Sequence, residues 1–157
     1  MIIKGKTVLV TGANRGIGQA LVEEALRRGA ARVYAGTRQP LTHPDPRVTP
    51  LTLDVTRADQ IEAAADQVET LDILFNNAGI ALYDDLTDRA ALERSLEVNL
   101  FGPYGMIQAF LPHLTRSGGA IVNNVSLMAL APLPLTPAYA VSKAARPTTR
   151  TRCRCSR

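Results

Sequence analysis

The fold prediction starts from the stretch Thr11-Gly12-Ala13-Asn14-Arg15-Gly16-Ile17-Gly18. An apolar run typical of a short buried strand precedes it at residues 7–10. A helical pattern follows over residues 19–28, in which Ile17, Leu21 and Ala25 recur at four-residue spacing and Gly29 ends the repeat. Glycines let a backbone approach a phosphate closely, and the N–H groups at a helix N-terminus bind it. The alternative is a tight turn without a ligand, but the flanking strand and helix favour a nucleotide-binding turn.

Length and composition indicate one globular domain. The chain has 157 residues, of which 46% are hydrophobic and 20% are charged. No apolar run is long enough to cross a bilayer, and the first residues do not resemble a signal peptide. We therefore expect a cytoplasmic protein without a membrane partner.

The basic net charge belongs to the end of the chain. Residues 146–157 contain five of the 18 basic residues and no acid, which leaves 13 bases against 14 acids elsewhere. We therefore predict a domain over residues 1–145 that binds no nucleic acid, and a basic, disordered tail over residues 146–157. The alternative for the tail is an arginine-rich interaction module that binds polyanions.

Both cysteines, Cys153 and Cys155, lie in this tail. The only histidines, His43 and His113, are distant in sequence and do not complete a ligand pattern with them. We expect two free thiols and no metal site.

Strands and helices alternate along the rest of the chain, which predicts an α/β fold with a doubly wound parallel sheet. Further strands are predicted at residues 32–36, 48–53, 71–75 and 120–125. Helices are predicted at 58–69 and 87–114, the second with a bend at Gly102-Pro103. The strands run into Thr37-Arg38, Asp54-Val55, Asn76-Asn77-Ala78-Gly79 and Ser126. Ligands of such sheets bind at the carboxyl ends of the strands.

The residues after the second strand favour one dinucleotide over another. In NAD-type sites a carboxylate about 20 residues beyond the glycines binds the adenosine ribose. Here that place holds Thr37-Arg38, and a second arginine, Arg15, lies within the glycine-rich turn. Guanidinium groups suit a 2′-phosphate because they carry a permanent charge and forked donors. We therefore predict that NADP(H) is preferred and that NAD(H) is possible, the alternative being two solvated surface arginines.

Tyr139 and Lys143 lie four residues apart, and so on one helix face. Free tyrosine has a pKa near 10 and is a poor base at neutral pH, but a neighbouring ammonium favours the phenolate. Such a tyrosine can exchange a proton with a substrate hydroxyl or carbonyl.

Taken together, these motifs resemble the short-chain dehydrogenase/reductase family from about Thr7 to Ala145. The resemblance rests on the glycine-rich turn, the N-N-A-G segment, Asn99, Ser126 and the Y-x-x-x-K pair of Tyr139 and Lys143. It implies a Rossmann-type sheet, incomplete at five strands in the order 3-2-1-4-5. It also implies an oxidoreductase that interconverts an alcohol and a ketone or aldehyde.

The resemblance further assigns roles to residues of this sequence. Tyr139 would transfer the proton, Ser126 would bond the substrate oxygen, Asn99 would anchor a water in the proton relay, and Lys143 would also hold the nicotinamide ribose. Asp54 would meet the adenine amino group, although a turn-forming role is equally open. The implied cofactor-binding residues are Gly12, Asn14, Arg15, Gly16, Ile17, Gly18, Thr37, Arg38, Asp54, Val55, Asn77, Ala78, Gly79, Tyr139 and Lys143.

The resemblance stops after Ala145. Pro147 is expected to break the helix of Tyr139 and Lys143, and the abrupt change in composition suggests a truncated or frameshifted reading frame. We then expect an unprotected fifth strand, an exposed apolar surface that favours self-association, and a substrate pocket that lacks one side. The alternative function is a catalytically impaired NADP-binding fragment.

Overall fold

The computed structural model describes residues 2–145. Five parallel strands form one sheet in the order β3-β2-β1-β4-β5, which confirms the predicted topology. The strands are β1 (Thr7–Thr11), β2 (Arg32–Thr37), β3 (Val48–Thr52), β4 (Ile73–Asn76) and β5 (Ala120–Asn123). The predicted tail, its two thiols and the predicted break at Pro147 lie outside the described residues.

Helices cover both faces of this sheet. The α-helices are α1 (Gly16–Arg27), α2 (Ala58–Gln67), α3 (Arg89–Leu96), α4 (Gly102–Ser117) and α5 (Pro137–Ala144). A π-helical segment, Glu97–Phe101, joins α3 to α4, and a 3₁₀ turn, Leu127–Ala129, follows β5.

The central strand β1 places apolar side chains on both faces. Val8 and Val10 are fully buried and pack with Val22 of α1 and other residues on one side of the sheet. Leu9 is equally buried on the other side, in the cluster that contains Phe110 of α4. Burial on both faces explains why β1 reads as a continuous apolar run rather than as an alternating pattern.

One local prediction for the helices was wrong. Ile17 was placed on the apolar face of α1, but its side chain is 62% exposed, and the buried face consists of Gly18, Val22, Ala25 and Leu26. Helix α1 begins at Gly16, inside the glycine-rich turn. Ile17 therefore lies in the first turn of the helix, where its side chain does not face the sheet.

The long helical region is interrupted next to its predicted bend. The bend is predicted at Gly102-Pro103, and a π-helical segment, Glu97–Phe101, ends immediately before that pair, where α4 begins. The segment contains Asn99, whose side chain bonds to groups outside its own helix.

Gly18 tests how closely α1 packs on the strand ends. A Cβ atom added there lies 2.0 Å from the Gly12 carbonyl oxygen, so Gly18→Ala should destabilise the protein by roughly 2 kcal/mol or more in urea unfolding. Gly16→Ala is the control, because its φ of +54° strains an L-residue but its Cβ meets no atom within 4 Å. It should cost about 1 kcal/mol. Equal losses for the two variants would contradict the packing argument.

Candidate functional site

The side chain of Thr11 joins the ends of β1 and β4. Its Oγ1 accepts hydrogen bonds from the N–H groups of Asn77 (2.9 Å) and Ala78 (3.0 Å), and it donates one to the carbonyl of Phe75 (3.3 Å). The Nδ2 of Asn77 donates in return to the Thr11 carbonyl at 2.9 Å. The two segments that bear the predicted glycine and N-N-A-G motifs are therefore fixed to each other.

The same network continues to β5 and α5 through Asn124. Asn124 Nδ2 donates to Asn77 Oδ1 at 3.0 Å, and Lys143 Nζ donates to the Asn124 carbonyl at 3.2 Å. Hydrogen bonds thus lead from the glycine-rich turn, across three strand ends, to the lysine of the Y-x-x-x-K pair.

A cavity of about 490 Å³ lies at this edge of the sheet. The structure brings together at its wall every residue that was predicted to bind the cofactor: Gly12, Asn14, Arg15, Gly16, Ile17, Gly18, Thr37, Arg38, Asp54, Val55, Asn77, Ala78, Gly79, Tyr139 and Lys143. Five further residues line it: Leu53, Ile80, Ala81, Val98 and Asn124.

The glycine-rich end of the cavity is suited to an anion. Helix α1 begins there and has no acidic residue in its first turn, so no side-chain anion competes for its positive end. Arg15 and Arg38 are exposed and line the same wall. Neither guanidinium has a hydrogen bond or ion pair with another residue in 2–145, whereas Arg27 and Arg47 are each paired with a carboxylate. Thr37, the last residue of β2, is only 2% exposed, whereas the next residue, Arg38, is exposed and carries a positive charge.

Asp54 forms the turn that follows β3. Its Oδ1 accepts from the N–H of Thr56 at 3.0 Å and from the Thr56 hydroxyl at 2.8 Å. The turn-forming alternative for this residue is therefore present in the structure. Asp54 lines the cavity as well, so its predicted contact with adenine stays a prediction.

Tyr139 and Lys143 meet at the opposite end of the cavity. Both project from α5, and Lys143 Nζ lies 5.6 Å from the centroid of the Tyr139 ring. Lys143 is only 4% exposed, so its ammonium is largely removed from bulk water and its charge is less screened. An ammonium held beside a phenol is an arrangement that can support proton transfer.

A family model described as short chain dehydrogenase matches residues 6–151. The chain belongs to the short chain dehydrogenase family. A short chain dehydrogenase from Burkholderia cenocepacia J2315, crystallised in complex with NADP, is 41% identical and superimposes with a TM-score of 0.88. That similarity covers 92% of this chain and 63% of the other.

Two more relatives extend the comparison. ElxO with NADP bound is 28% identical with a TM-score of 0.80, over 90% of this chain and 63% of ElxO. Short-chain dehydrogenase PC-15 from Penicillium crustosum is 40% identical over 89% of this chain and 56% of the relative. The chain spans about half the length of the curated relatives that it matches.

In this member of the family, Asn99 is buried beside the cavity, and its side chain forms hydrogen bonds with protein atoms. Its Nδ2 donates to the Ile80 carbonyl (2.8 Å) and to Ser142 Oγ (2.9 Å), while its Oδ1 accepts from Ile80 N–H (2.9 Å). Both amide hydrogens are thus engaged, and the side chain holds the Ile80 loop against α5. The predicted water contact of Asn99 stays a prediction. Such a water would have to donate to an oxygen lone pair of Asn99 that the Ile80 N–H does not use.

Ser126 lies three residues beyond β5 and is not part of the cavity wall. Its Oγ accepts from the N–H of Met128 at 3.2 Å and so caps the 3₁₀ turn Leu127–Ala129. The structure therefore does not bring Ser126 to the wall that Tyr139 and Lys143 line, and its role towards a substrate oxygen stays a prediction.

The sequence analysis missed Asn124, although a signal for it exists. In Asn123-Asn124 the first asparagine ends β5, as in Asn76-Asn77 the first ends β4, and each second asparagine joins its strand end to a neighbouring segment. A repeated Asn pair at the ends of adjacent parallel strands could have indicated this hydrogen-bonding role.

Residues 2–145 also bear on other classes of site. None of their helices combines the length and the hydropathy that a bilayer-spanning segment needs. No group of three or more His, Cys, Asp or Glu side chains in that part of the chain could hold a metal ion. The predicted cytoplasmic location and the predicted lack of nucleic-acid, membrane and metal partners stay predictions.

Replacement of Asn99 tests its positioning role. Asn99→Leu leaves the N–H and carbonyl of Ile80 without their side-chain partner. It also removes the hydrogen bond that Ser142 Oγ accepts, although this hydroxyl still donates to the Tyr139 carbonyl. Unfolding in urea should therefore become easier by roughly 2–4 kcal/mol. The control Asn14→Leu changes an exposed asparagine and should alter the unfolding free energy by less than about 0.5 kcal/mol. An unchanged stability of Asn99→Leu would contradict the assignment.

Proposed function

We propose that the protein is an NADP(H)-dependent oxidoreductase that interconverts an alcohol and a ketone or aldehyde. One observation carries this proposal: a cavity has at its glycine-rich end two arginines without an ion-pair partner in residues 2–145, and at the other end a tyrosine beside a buried lysine. The first end suits a phosphate-bearing nucleotide, and the second suits proton exchange with an oxygen.

The cofactor choice is supported by the charges that line the cavity. Thr37-Arg38 contains no carboxylate to bond a ribose 2′-hydroxyl, and Arg15 and Arg38 have no anionic partner within residues 2–145. The Burkholderia relative and ElxO were both solved with NADP. NAD(H) remains the weaker of the two proposed ligands.

The proposed chemistry divides between cofactor and protein. NADP(H), when bound, supplies or accepts the hydride. Tyr139 delivers a proton from its hydroxyl to the carbonyl oxygen during reduction and removes one from the alcohol during oxidation. The Lys143 ammonium stabilises the phenolate left behind and holds the nicotinamide ribose. Ser126 bonds the substrate oxygen, and Asn99 supports α5 and the water of the relay.

Replacement of Tyr139 tests the proton-transfer role. Tyr139→Phe keeps the ring but removes the exchangeable proton, so kcat/KM for carbonyl reduction should fall by about 10² or more. The Kd for NADPH, measured by calorimetry, should stay within about twofold. Tyr104→Phe, which changes an exposed tyrosine of α4, is the matched control and should leave both quantities unchanged. A Tyr139→Phe variant with full activity would rule out the mechanism.

A second candidate is an NADP-binding protein without turnover. It is favoured by the segment that contains Ser126, where Leu127 is 76% exposed, Leu130 is 83% exposed and Leu135 is 64% exposed. Apolar side chains in water do not enclose a substrate. NADPH oxidation against a panel of carbonyl compounds, paired with NADPH calorimetry, separates the candidates. Binding with turnover supports the enzyme, and binding without turnover supports the alternative.

We further propose that these exposed leucines promote self-association, because apolar patches of this kind are commonly buried by contact. Sedimentation velocity should show a weight-average mass that rises with protein concentration. Leu130→Lys combined with Leu133→Lys should shift the protein towards monomer without lowering its unfolding free energy, since both side chains are more than half exposed. A concentration-independent monomer in the unmodified protein would contradict the proposal.

A further inference from the structure

A second pocket of about 630 Å³ adjoins the cavity at the two arginines. The pocket shares four residues with the first cavity and adds two glutamines: it is lined by Asn14, Arg15, Arg38, Gln39, Asp54 and Gln60. Gln60 differs from the others because it comes from helix α2 rather than from a strand end or the glycine-rich turn. The motifs in the sequence gave no role to Gln60.

A hydrogen bond fixes the orientation of the Gln60 side chain. The backbone N–H of Asp54 donates to Gln60 Oε1 at 2.7 Å, and only the oxygen of an amide can accept this bond. The NH₂ group must therefore occupy the other position. Gln60 Nε2 makes no hydrogen bond to another residue in 2–145, whereas Nε2 of Gln67, about two turns further along α2, donates to the Ala63 carbonyl at 3.1 Å.

The charges around the pocket favour an anion. Arg15 and Arg38 contribute two positive charges, and Asp54 is the only acidic residue among those that line it. The Oδ1 of Asp54 already accepts two hydrogen bonds from Thr56. An additional neutral donor on this wall would bind a phosphate oxygen without the cost of desolvating another charge.

We propose that Gln60 is a specificity-determining residue: its side-chain NH₂ donates to the 2′-phosphate of NADP(H), together with Arg15 and Arg38. This rests on the proposed function, which puts a 2′-phosphate at this end of the cavity. Because Oε1 is held by the Asp54 N–H, the donor is oriented before the nucleotide arrives, and binding loses little side-chain freedom.

Gln60→Glu tests the donor separately from the structural bond. A glutamate oxygen can still accept from the Asp54 N–H, but the variant loses the NH₂ group and places a negative charge where the phosphate would bind. The Kd for NADPH and for adenosine 2′,5′-bisphosphate should rise about tenfold or more, because like charges repel at short range. The Kd for NADH and for adenosine 5′-monophosphate, which lack that phosphate, should change by no more than about twofold.

Gln67→Glu is the matched control, because it makes the same charge change on the same helix at a residue that does not line the pocket. It should leave all four Kd values unchanged, and thermal melts of both variants report whether they fold. Equal weakening of all four ligands by Gln60→Glu, or no weakening of any, would overturn the role of Gln60. If the unmodified, folded protein binds neither NADPH nor the bisphosphate, the cofactor proposal itself fails, and the assignment of Gln60 fails with it.

Discussion

The site depends first on the hydrogen bonds that join the carboxyl ends of β1 and β4. Thr11 satisfies two N–H groups of the N-N-A-G segment, and Asn77 returns a bond to the Thr11 carbonyl. Groups at such strand ends have no ladder partner, and burying them unpaired would cost free energy. The polar residues at this edge therefore do two things at once: they complete the sheet and they fix the floor of the cavity. Gly18 completes the arrangement because α1 can approach these ends only where a Cβ atom is missing.

Further hydrogen bonds connect this junction to the tyrosine–lysine pair. Asn124, directly after β5, bonds to Asn77, and Lys143 of α5 bonds to Asn124. Tyr139 lies on the same face of α5 as Lys143. Asn99 supports the other side of α5 through Ser142. Tyr139 thus has its position set by a helix that is tied to the sheet rather than by a free loop, which is what proton transfer over a short distance requires.

Much of this arrangement could be predicted from the sequence. The order of the five strands and the residues of the cavity wall follow from motifs placed after alternating strands and helices, because parallel strands bring their carboxyl ends to one edge. The exposure of Ile17 could not be predicted, because the helical repeat does not show that α1 begins beyond the sheet. The bonds of Asn99 and Gln60 join residues whose contact depends on the path of a loop or turn, and periodicity contains no such information. Ser126 matches a motif, yet its hydroxyl caps a turn of its own segment.

We propose that one cavity holds NADP(H) with its phosphate-bearing adenosine at the arginines and its nicotinamide at the tyrosine–lysine pair. A crystal structure of the protein with NADP⁺ tests it most directly. We expect the 2′-phosphate to lie between Arg15 and Arg38, and the nicotinamide ribose to lie within hydrogen-bond distance of Lys143. A nucleotide bound in the reverse direction, or outside the cavity, would contradict the claim.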